Sequence, residues 1–585
     1  MPPADCRRHH LDVSARWLSL SKSPGPRADT ETMTLRDGDH VPWTLRPGKD
    51  PDADPHYPGH GYTLIEDGDM IFERDVAVEL RDGTTIFVDV FRPAAEGQYP
   101  VVLGYAPFGK HPHIDWDSAF PGADIPPGNS KYTAFEAPDP VVWTRAGFVI
   151  VNVDPRGIGY SEGIAQFMTE QEGRDEYDVI EWLAVQSWSN GNVGTNGVSY
   201  FAMSAYQAAV QKPPHLKGVI LFEALNDFYR DVKFHGGIPN FGMCHGWMQM
   251  ISRSKTAVED LEAGMREHPT YDEFWSSRVA DLSKFEVPVW LVSSWANAGI
   301  HTRGTLQAWG EIASTEKWID LNARKEWSYF YQPEMVAKQM AFFDRFLRGN
   351  ASAIDDWPTV LCQVRDSLKK NHHRVDTQYP LTSTEYREMF LDAGDGSLNP
   401  KRVERSSTAD YDAKTGIVTF EYTFTETTEL IGPASLSLWM QALGADDADV
   451  FVGLRKFDAA GNEVNFEYLG FFENGIVGLG WQRLSLRALD EAKSTPAKPY
   501  PAFTEFEHVY NDEVVNLAIP ILDAATRFEA GEKLVLDIRG FDQIAGGGMI
   551  PQHPENRNRG RHVIHTGGEF ASTLLLPFVP LAHEK

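Results

Sequence analysis

Residues 193–209 read VGTNGVSYFAMSAYQAA, with Ser199 inside the string GVSYFA. A short apolar run precedes this string and an alanine-rich helical pattern follows it, which predicts a strand, a sharp turn and a helix. The small residues Gly197 and Ala202 flank the serine, as a close crossing of strand and helix requires. The pattern therefore favours a nucleophile elbow with Ser199 at its apex, and a serine in an ordinary strand–helix turn is the alternative.

Strand and helix patterns alternate on both sides of this turn. A hairpin is indicated first, where two alternating apolar and polar runs flank Asp82-Gly83. Strands alternating with helices are typical of a doubly wound, mostly parallel sheet, so the fold class is α/β. The buried-strand runs lie at 99–107, 147–154, 216–225, 287–295 and 317–322, and the helical patterns at 170–186, 301–312 and 333–348.

Changes in composition and periodicity divide the chain into four parts. Residues 1–65, rich in Pro, Asp, Gly and His, indicate an extended N-terminal arm. The α/β core comprises 66–225 and 286–350, interrupted at 226–285 by a Met- and aromatic-rich insertion that we interpret as a helical cap; a few ordinary core helices are the alternative. From 351 to 585 the periodicity is two, which predicts an all-β domain, a sandwich of jelly-roll type.

Composition excludes several classes of partner and site. The 54 basic and 83 acidic residues give a net charge of −29, which disfavours nucleic acid and anionic membranes. The three cysteines are far apart, so neither a disulfide framework nor a metal site is indicated, and no cofactor motif is present. Without a signal-peptide pattern or a membrane-spanning run, we expect a cytoplasmic protein acting on a small molecule. Homo-oligomerisation is left open.

Five stretches together resemble one enzyme family. They are DPRGIGYSEG (154–163), the run 197–239 around the elbow, HTRGTLQAW (301–309), IGPASLSLWM (431–440) and HTGGEFASTLLLPFVP (565–580). In this order they resemble the cocaine-esterase-like CocE/NonD hydrolases, relatives of the X-Pro dipeptidyl-peptidases, from about residue 70 to the C-terminus. The resemblance implies an α/β-hydrolase core, a helical cap and a C-terminal jelly roll. It also implies Ser–His–Asp acyl transfer on esters or amides.

The expected catalytic positions depart from the family pattern. Where the family has Trp-x-Asp, this chain has Trp295-Ala296-Asn297, and Asn322 stands at the position expected for the histidine base. The backbone N–H of Tyr200 supplies one oxyanion donor, but the family's tyrosine donor is replaced by Phe108. An amide in place of the triad carboxylate costs about 10⁴ in rate in the serine-protease template, so the triad is degenerate.

Other side chains are candidates to replace the missing groups. His301 begins the helix just after Asn297, and His235 precedes the cap helices. Each histidine is also plausible as a hydrogen-bonded packing residue. Some hydrolases place the acid after the strand that follows the elbow helix, which here is Glu223 or Asp227. We also expect Tyr105 and Trp295, which end their strands, at the pocket.

Three functions remain open from the sequence. The first is an acyl hydrolase or acyltransferase that uses Ser199 with a relocated base or help from the substrate. The second is a non-hydrolytic cyclase, isomerase or lyase that uses the capped pocket to orient a small molecule. The third is a non-catalytic binding protein on a hydrolase scaffold, since a fold does not fix a function.

Overall fold

The structure is a computed structural model that describes residues 44–54, 57–112, 114–510, 513–544 and 552–581. Most of the predicted N-terminal arm, residues 1–43, lies outside the described residues. At the described end of the predicted arm, the strand Leu45–Pro47 pairs antiparallel with Ala257–Glu259 of the insertion 226–285. Among the described residues, every helix is too short or too polar to cross a bilayer.

A sheet of eleven strands forms the core of the α/β part. Its central strands are parallel and carry a crossover, since Val149–Asp154 lies outside Tyr99–Tyr105. Across the sheet the strands are Thr63–Asp67, Met70–Glu79, Thr85–Pro93, Val149–Asp154, Tyr99–Tyr105, Ser189–Thr195, Leu216–Phe222, Val289–Ser294, Lys317–Asn322, Val360–Ser367 and Lys370–Asp376. This order confirms the predicted α/β-hydrolase core.

Helices cover both faces of the sheet because its strands are apolar on both sides. Successive strand residues alternate between two cores: Val101 and Leu103 pack in one and Val102 in the other. The first core also takes the helices Glu170–Ala184, Tyr200–Val210 and Thr302–Glu311. The second takes Pro140–Arg145 and Pro333–Arg348, and the short helices Trp116–Ala119 and Glu326–Phe330 lie nearby.

The insertion 226–285 lies between the strands Leu216–Phe222 and Val289–Ser294. It opens with the π-helical turn Tyr229–Lys233 and a small hairpin of Phe234–His235 with Ile238–Pro239. The helices Phe241–Ile251, Leu261–Glu267 and Glu273–Ser276 follow, then the 3₁₀ turn Leu282–Lys284. Its apolar side chains join the same core as the elbow residue Tyr200, which places this segment over Ser199.

The C-terminal domain is β-rich and antiparallel. The two strands after residue 350, Val360–Ser367 and Lys370–Asp376, extend the core sheet, and Arg365 pairs with Thr526 of the β-domain. The remaining strands are Glu385–Asp392, Ser397–Asn399, Ser407–Asp412, Ile417–Thr423, Thr428–Leu443, Asp449–Phe457, Glu463–Val464, Phe466–Tyr468, Phe472–Gly475, Gly478–Arg483, Val515–Phe528, Lys533–Arg539, Arg561–Thr566 and Thr573–Val579.

Candidate active site

Ser199 occupies a strained turn between the strand Ser189–Thr195 and the helix Tyr200–Val210. Its backbone has φ 59° and ψ −113°, a region that non-glycine residues rarely adopt. Its N–H donates to the Phe222 carbonyl at 3.0 Å, which ties the turn to the neighbouring strand. Gly197 has φ +152°, and a Cβ there would lie 2.5 Å from Phe201 Cβ. This local geometry is that of a nucleophile elbow.

A cavity lies against Ser199, with about 650 Å³ of space free of protein atoms, part of it open to solvent. Its wall comes from the core, the insertion 226–285 and the loop 469–471 of the C-terminal domain. Most of the wall is apolar and much of it is aromatic; the rings belong to Phe108, Phe135, Phe228, Trp247, Trp327 and Phe471. This lining suits a mainly apolar ligand.

Four ionisable side chains share this cavity with Ser199: Glu136, Lys233, His301 and Glu326. All four are buried. Ser199 and His301 were predicted as site residues from the sequence, and the structure brings these two to the same cavity. The two glutamates and the lysine were not predicted.

Asn297 and Glu326 form a buried hydrogen-bonded pair at the edge of the cavity. Asn297 Nδ2 donates to Glu326 Oε2 at 2.7 Å, and both side chains are buried. Asn297 follows the strand Val289–Ser294, and Glu326 begins the helix Glu326–Phe330 after the next strand. Burial raises the pKa of Glu326 to about 7, against a smaller opposing effect of the Asn297 hydrogen bond. Near neutral pH this carboxyl is therefore able to take up or release a proton.

Glu223 supports this pair from the adjacent strand end. It has φ 56° and no exposed surface, and its carboxyl interacts with the Asn297 side chain. Burial, reinforced by the nearby Glu326, raises the pKa of Glu223 well above its usual range. Both Glu223 carboxyl oxygens and Asn297 Oδ1 are buried without a hydrogen-bond partner among the described residues.

Glu136 lies between the elbow and the helix that carries Glu326. Its carbonyl accepts the Val198 N–H at 3.0 Å, and its Oε1 accepts Trp327 Nε1–H at 2.7 Å. Its Oε2 is buried without a partner in the described part of the chain. Burial and then the charge of Glu326 raise the pKa of Glu136 well above its usual range. Glu136 is therefore a neutral acid beside the more readily ionised Glu326.

His301 lies on the cavity wall just before the helix Thr302–Glu311. Its Nε2 is 3.9 Å from Glu326 Oε2, beyond hydrogen-bond distance, and its Nδ1 is buried without a partner among the described residues. Burial lowers the pKa of His301 to about 3. The imidazole is therefore neutral at physiological pH and a weak proton acceptor.

Three residues expected at the site do not line the cavity. Asn322 donates to the Ser293 carbonyl at 3.0 Å and accepts the Arg324 N–H, which holds the strand end in place. Trp295 Nε1 donates to the Gln363 carbonyl at 2.7 Å. Tyr105 is buried in the core on the other face of the sheet, where its hydroxyl has no partner among the described residues.

His235 and Asp227 also lie away from the cavity wall. His235 contacts His553 Nε2 at 3.0 Å and the Gly299 carbonyl at 2.6 Å, so it joins the cap to the C-terminal domain. Asp227 pairs with Arg230 at 3.1 Å. Both side chains thus bind neighbouring structure and do not contact Ser199.

Tyr200 and Phe108 remain beside the nucleophile. Tyr200 is the first residue of the elbow helix, so its N–H has no intrahelical acceptor and is placed to bind an oxyanion. Its hydroxyl donates to Glu172 Oε2 at 2.9 Å. The Phe108 ring lines the cavity, where it offers no hydrogen-bond donor.

One group of metal-ligand type occurs among the described residues, formed by Asp75, Asp89 and His111. Lys110 lies within this group, with Nζ 2.5 Å from Asp75 Oδ1 and 3.6 Å from Asp89 Oδ1. The ammonium of Lys110 therefore supplies the positive charge that these carboxylates need.

Comparison with known proteins agrees with the geometry. Residues 82–264 match the X-Pro dipeptidyl-peptidase (S15 family) model, and residues 352–575 match the X-Pro dipeptidyl-peptidase C-terminal non-catalytic domain. A crystal structure of a CocE/NonD family hydrolase from Staphylococcus aureus is 37% identical, with a TM-score of 0.85, over 89% of this chain and 96% of that one. The chain belongs to the CocE/NonD family.

Other members and relatives of the CocE/NonD fold are more distant. The cocaine esterase of Rhodococcus sp. (strain MB1 Bresler) is 27% identical over 395 residues, which are 57% of this chain and 64% of the esterase. An aminopeptidase from a marine sediment Thaumarchaeota archaeon is 16% identical with a TM-score of 0.67, over 90% of this chain and all (100%) of that one. At that identity the second likeness concerns the fold alone.

Of the residues that were not predicted, one could have been found from its position along the chain. Glu326 follows the strand Lys317–Asn322 by four residues, and acids at the carboxyl ends of parallel strands are natural site candidates. Glu136 and the loop 469–471 carried no such signal, because they reach the cavity only through tertiary packing.

Proposed function

We propose that this protein is a serine-dependent acyl hydrolase in which Glu326, held by Asn297, replaces the histidine base. The observation that carries the proposal is the 2.7 Å hydrogen bond from Asn297 to Glu326 at the edge of the Ser199 cavity. In a Ser–His–Asp triad a carboxylate accepts from an imidazole. Here the direction of the hydrogen bond is reversed, because the amide at the acid position donates and the carboxylate that serves as base accepts. The base is therefore an anion.

The chemistry follows from these roles. Ser199 Oγ attacks the acyl carbon of an ester or amide while Glu326 accepts the hydroxyl proton. The tetrahedral oxyanion is stabilised by the Tyr200 N–H and the N-terminus of the elbow helix. Protonated Glu326 then gives its proton to the leaving group, and an acyl-Ser199 ester remains. Water, deprotonated by Glu326, hydrolyses this ester and restores the free serine.

Glu326 is preferred over His301 as the base. A general base works best when its pKa is near the working pH. The pKa of Glu326 is about 7 and that of His301 about 3, because burial disfavours the charged form of each. His301 contributes a neutral polar surface to the cavity.

The decisive experiment is labelling of Ser199 by a fluorophosphonate, followed by mass spectrometry of the tryptic peptides. We expect one adduct on Ser199 in the wild type and none in Ser199→Ala. The labelling rate should fall about 10²–10⁴-fold in Glu326→Gln and less than about tenfold in His301→Asn. Absence of labelling at Ser199, or equal loss in the two base variants, would exclude the proposed relay.

A second candidate function is non-hydrolytic acid–base chemistry. It is favoured by the two carboxyls Glu136 and Glu326, whose pKa values are both raised but to different extents, in an aromatic cavity. Such a pair can donate a proton at one atom of a substrate and remove one from another, as an isomerase or cyclase requires. This function predicts that Ser199→Ala keeps most of the turnover while Glu136→Gln loses it.

We also infer that the C-terminal β-domain is of jelly-roll type. The long strand Thr428–Leu443 supports this, because it pairs with Val515–Phe528 on one side and with Arg561–Thr566 and Thr573–Val579 on the other. Besides its own core, the domain supplies part of the cavity wall through the loop 469–471. We therefore expect the domain to help select the substrate.

A further inference from the structure

Lys233 is a buried cation on the cavity wall that the proposed hydrolysis does not use. It ends the π-helical turn Tyr229–Lys233 at the start of the cap and is 1% exposed. Its Nζ donates to Cys244 Sγ at 3.5 Å and lies 4.7 Å and 4.4 Å from the ring centres of Phe228 and Trp247. Within the described residues no carboxylate lies within 4.0 Å of this Nζ.

The carboxylates that influence Lys233 are already paired with other cations. Glu259 binds Arg278 at 2.5 Å and Glu262 binds Arg46 at 2.6 Å. Removing an ammonium from water without an anion is costly, and two ring faces with one weak sulfur acceptor compensate only part of that cost. Burial lowers the pKa of Lys233 for the same reason.

We propose that Lys233 binds a carboxylate of the substrate, which is otherwise apolar and largely aromatic or aliphatic. The cavity supports this class of substrate, because Lys233 shares it with Ser199 and the neighbouring wall consists of Phe228, Met243 and Trp247. Among the described residues the cavity wall carries one ammonium and no arginine, which suits a monoanion better than a phosphate dianion. The substrate is then an ester or amide with an apolar body and one carboxylate. This inference rests on the proposed function only in naming the bond that reacts, an ester or an amide.

Binding by the full-length Ser199→Ala protein tests the inference without turnover. The probes are 4-phenylbutyrate and 4-phenylbutan-1-ol, which differ in charge but little in shape, measured by calorimetry at pH 7. We expect the carboxylate to bind at least about tenfold more tightly than the alcohol. Lys233→Met should abolish this preference and change alcohol binding less than about twofold.

Lys338→Met provides a matched control. Lys338 also lies over two aromatic rings, those of Trp290 and Trp357, but it pairs with Asp320 and does not line the cavity. We expect this variant to keep the carboxylate preference. Lys233→Met should fold with an unchanged or raised melting temperature, because it removes an unpaired buried charge. A second variant, Lys233→Gln, keeps a polar group and should still lose the preference.

A kinetic arm separates this inference from the proposed function. For hydrolysis we compare 4-nitrophenyl hydrogen adipate with 4-nitrophenyl hexanoate, and expect Lys233→Met to lower kcat/KM at least about tenfold for the first ester only. If neither ester is hydrolysed but the Lys233-dependent binding preference is found, the proposed function fails and the inference stands. The inference is overturned if no ω-phenyl carboxylate of two to eight carbons is preferred, or if Lys233→Met keeps the preference. The other role open to a buried lysine is to form an imine with an aldehyde, which cyanoborohydride would reduce and trap. Such trapping at Lys233, together with no preference for a carboxylate, would also overturn the inference.

Discussion

The amide of Asn297 donates a 2.7 Å hydrogen bond to the carboxylate of Glu326, where a conventional triad would place an acid against an imidazole. Asn297 lies behind the cavity wall and Glu326 is part of it. This hydrogen bond holds the Glu326 carboxylate in the wall of the cavity that also contains Ser199.

The rate of acylation should rise with pH and level off above about 7. Glu326 accepts a proton only when ionised, and burial raises its pKa to about 7. The measurement is the second-order rate of fluorophosphonate labelling between pH 5 and 9. Glu326→Gln should give a low, flat profile. A wild-type profile that follows a group with a pKa below about 5 would contradict the assignment.

Asn297→Asp should lower kcat/KM for a reactive ester about tenfold or more at pH 7. The change places a second carboxyl against Glu326, so like charges raise the pKa of the base further. The double variant Asn297→Asp with Glu326→His restores a carboxylate that accepts from an imidazole. It should be more active than either Asn297→Asp or Glu326→His alone. A double variant no better than the weaker single variant would show that the two positions do not act as a pair.

Stability should fall between about pH 4.5 and 7 because of Glu326. Its pKa is raised from 4.5 in the unfolded chain to about 7 in the folded one, so the folded state binds more protons in this window. The free energy of unfolding therefore decreases as pH rises through this window. The contribution of Glu326 to this decrease reaches its full size above about pH 7. Melting temperatures of the wild type relative to Glu326→Gln should decline from pH 5 to 8. The exposed Glu96→Gln serves as control and should show no such trend.

Phe108→Tyr should raise kcat by about tenfold on an ester substrate. Phe108 lines the cavity near the elbow, at the position where the family resemblance places a tyrosine donor, and one oxyanion donor is worth ~3 kcal/mol. Phe135→Tyr is the matched control, since its ring packs at 5.1 Å against Phe108 and lines the same wall. We expect no gain from it. Equal effects of the two variants would place the oxyanion elsewhere.

Much of the fold was readable from the sequence because it depends on local patterns. The apolar runs and glycines predicted the sheet and the elbow at Ser199, and the period of two after residue 350 predicted the C-terminal β-domain. The predicted boundary at residue 350 falls before two strands that extend the core sheet. The sequence of a strand with alternating polar residues does not show which sheet that strand will join.

Site residues were predictable only where their position along the chain fixes where they lie in the fold. Ser199 follows from the elbow, and Asn297 follows from the end of its strand. Asn322 was placed at the base position by motif spacing, whereas the chain runs on for four more residues before Glu326 reaches the cavity. Tyr105 ends its strand as expected, but its side chain lies in the core because alternate residues face opposite sides of a sheet. Trp295 begins a 3₁₀ turn directly after its strand, and its side chain lies in the same core.

The sequence by itself determined that a serine occupies a sharp turn at the edge of a parallel sheet, and that asparagines stand at the positions where the family pattern has the acid and the base. Small residues around Ser199 and the order of strands and helices are sufficient for that. Only the tertiary structure decided which groups share the cavity with Ser199, because Glu136, Lys233, Glu326 and the loop 469–471 are distant along the chain and meet at one cavity. Their burial then shifts the protonation of each acid, and burial depends on packing from all three parts of the molecule.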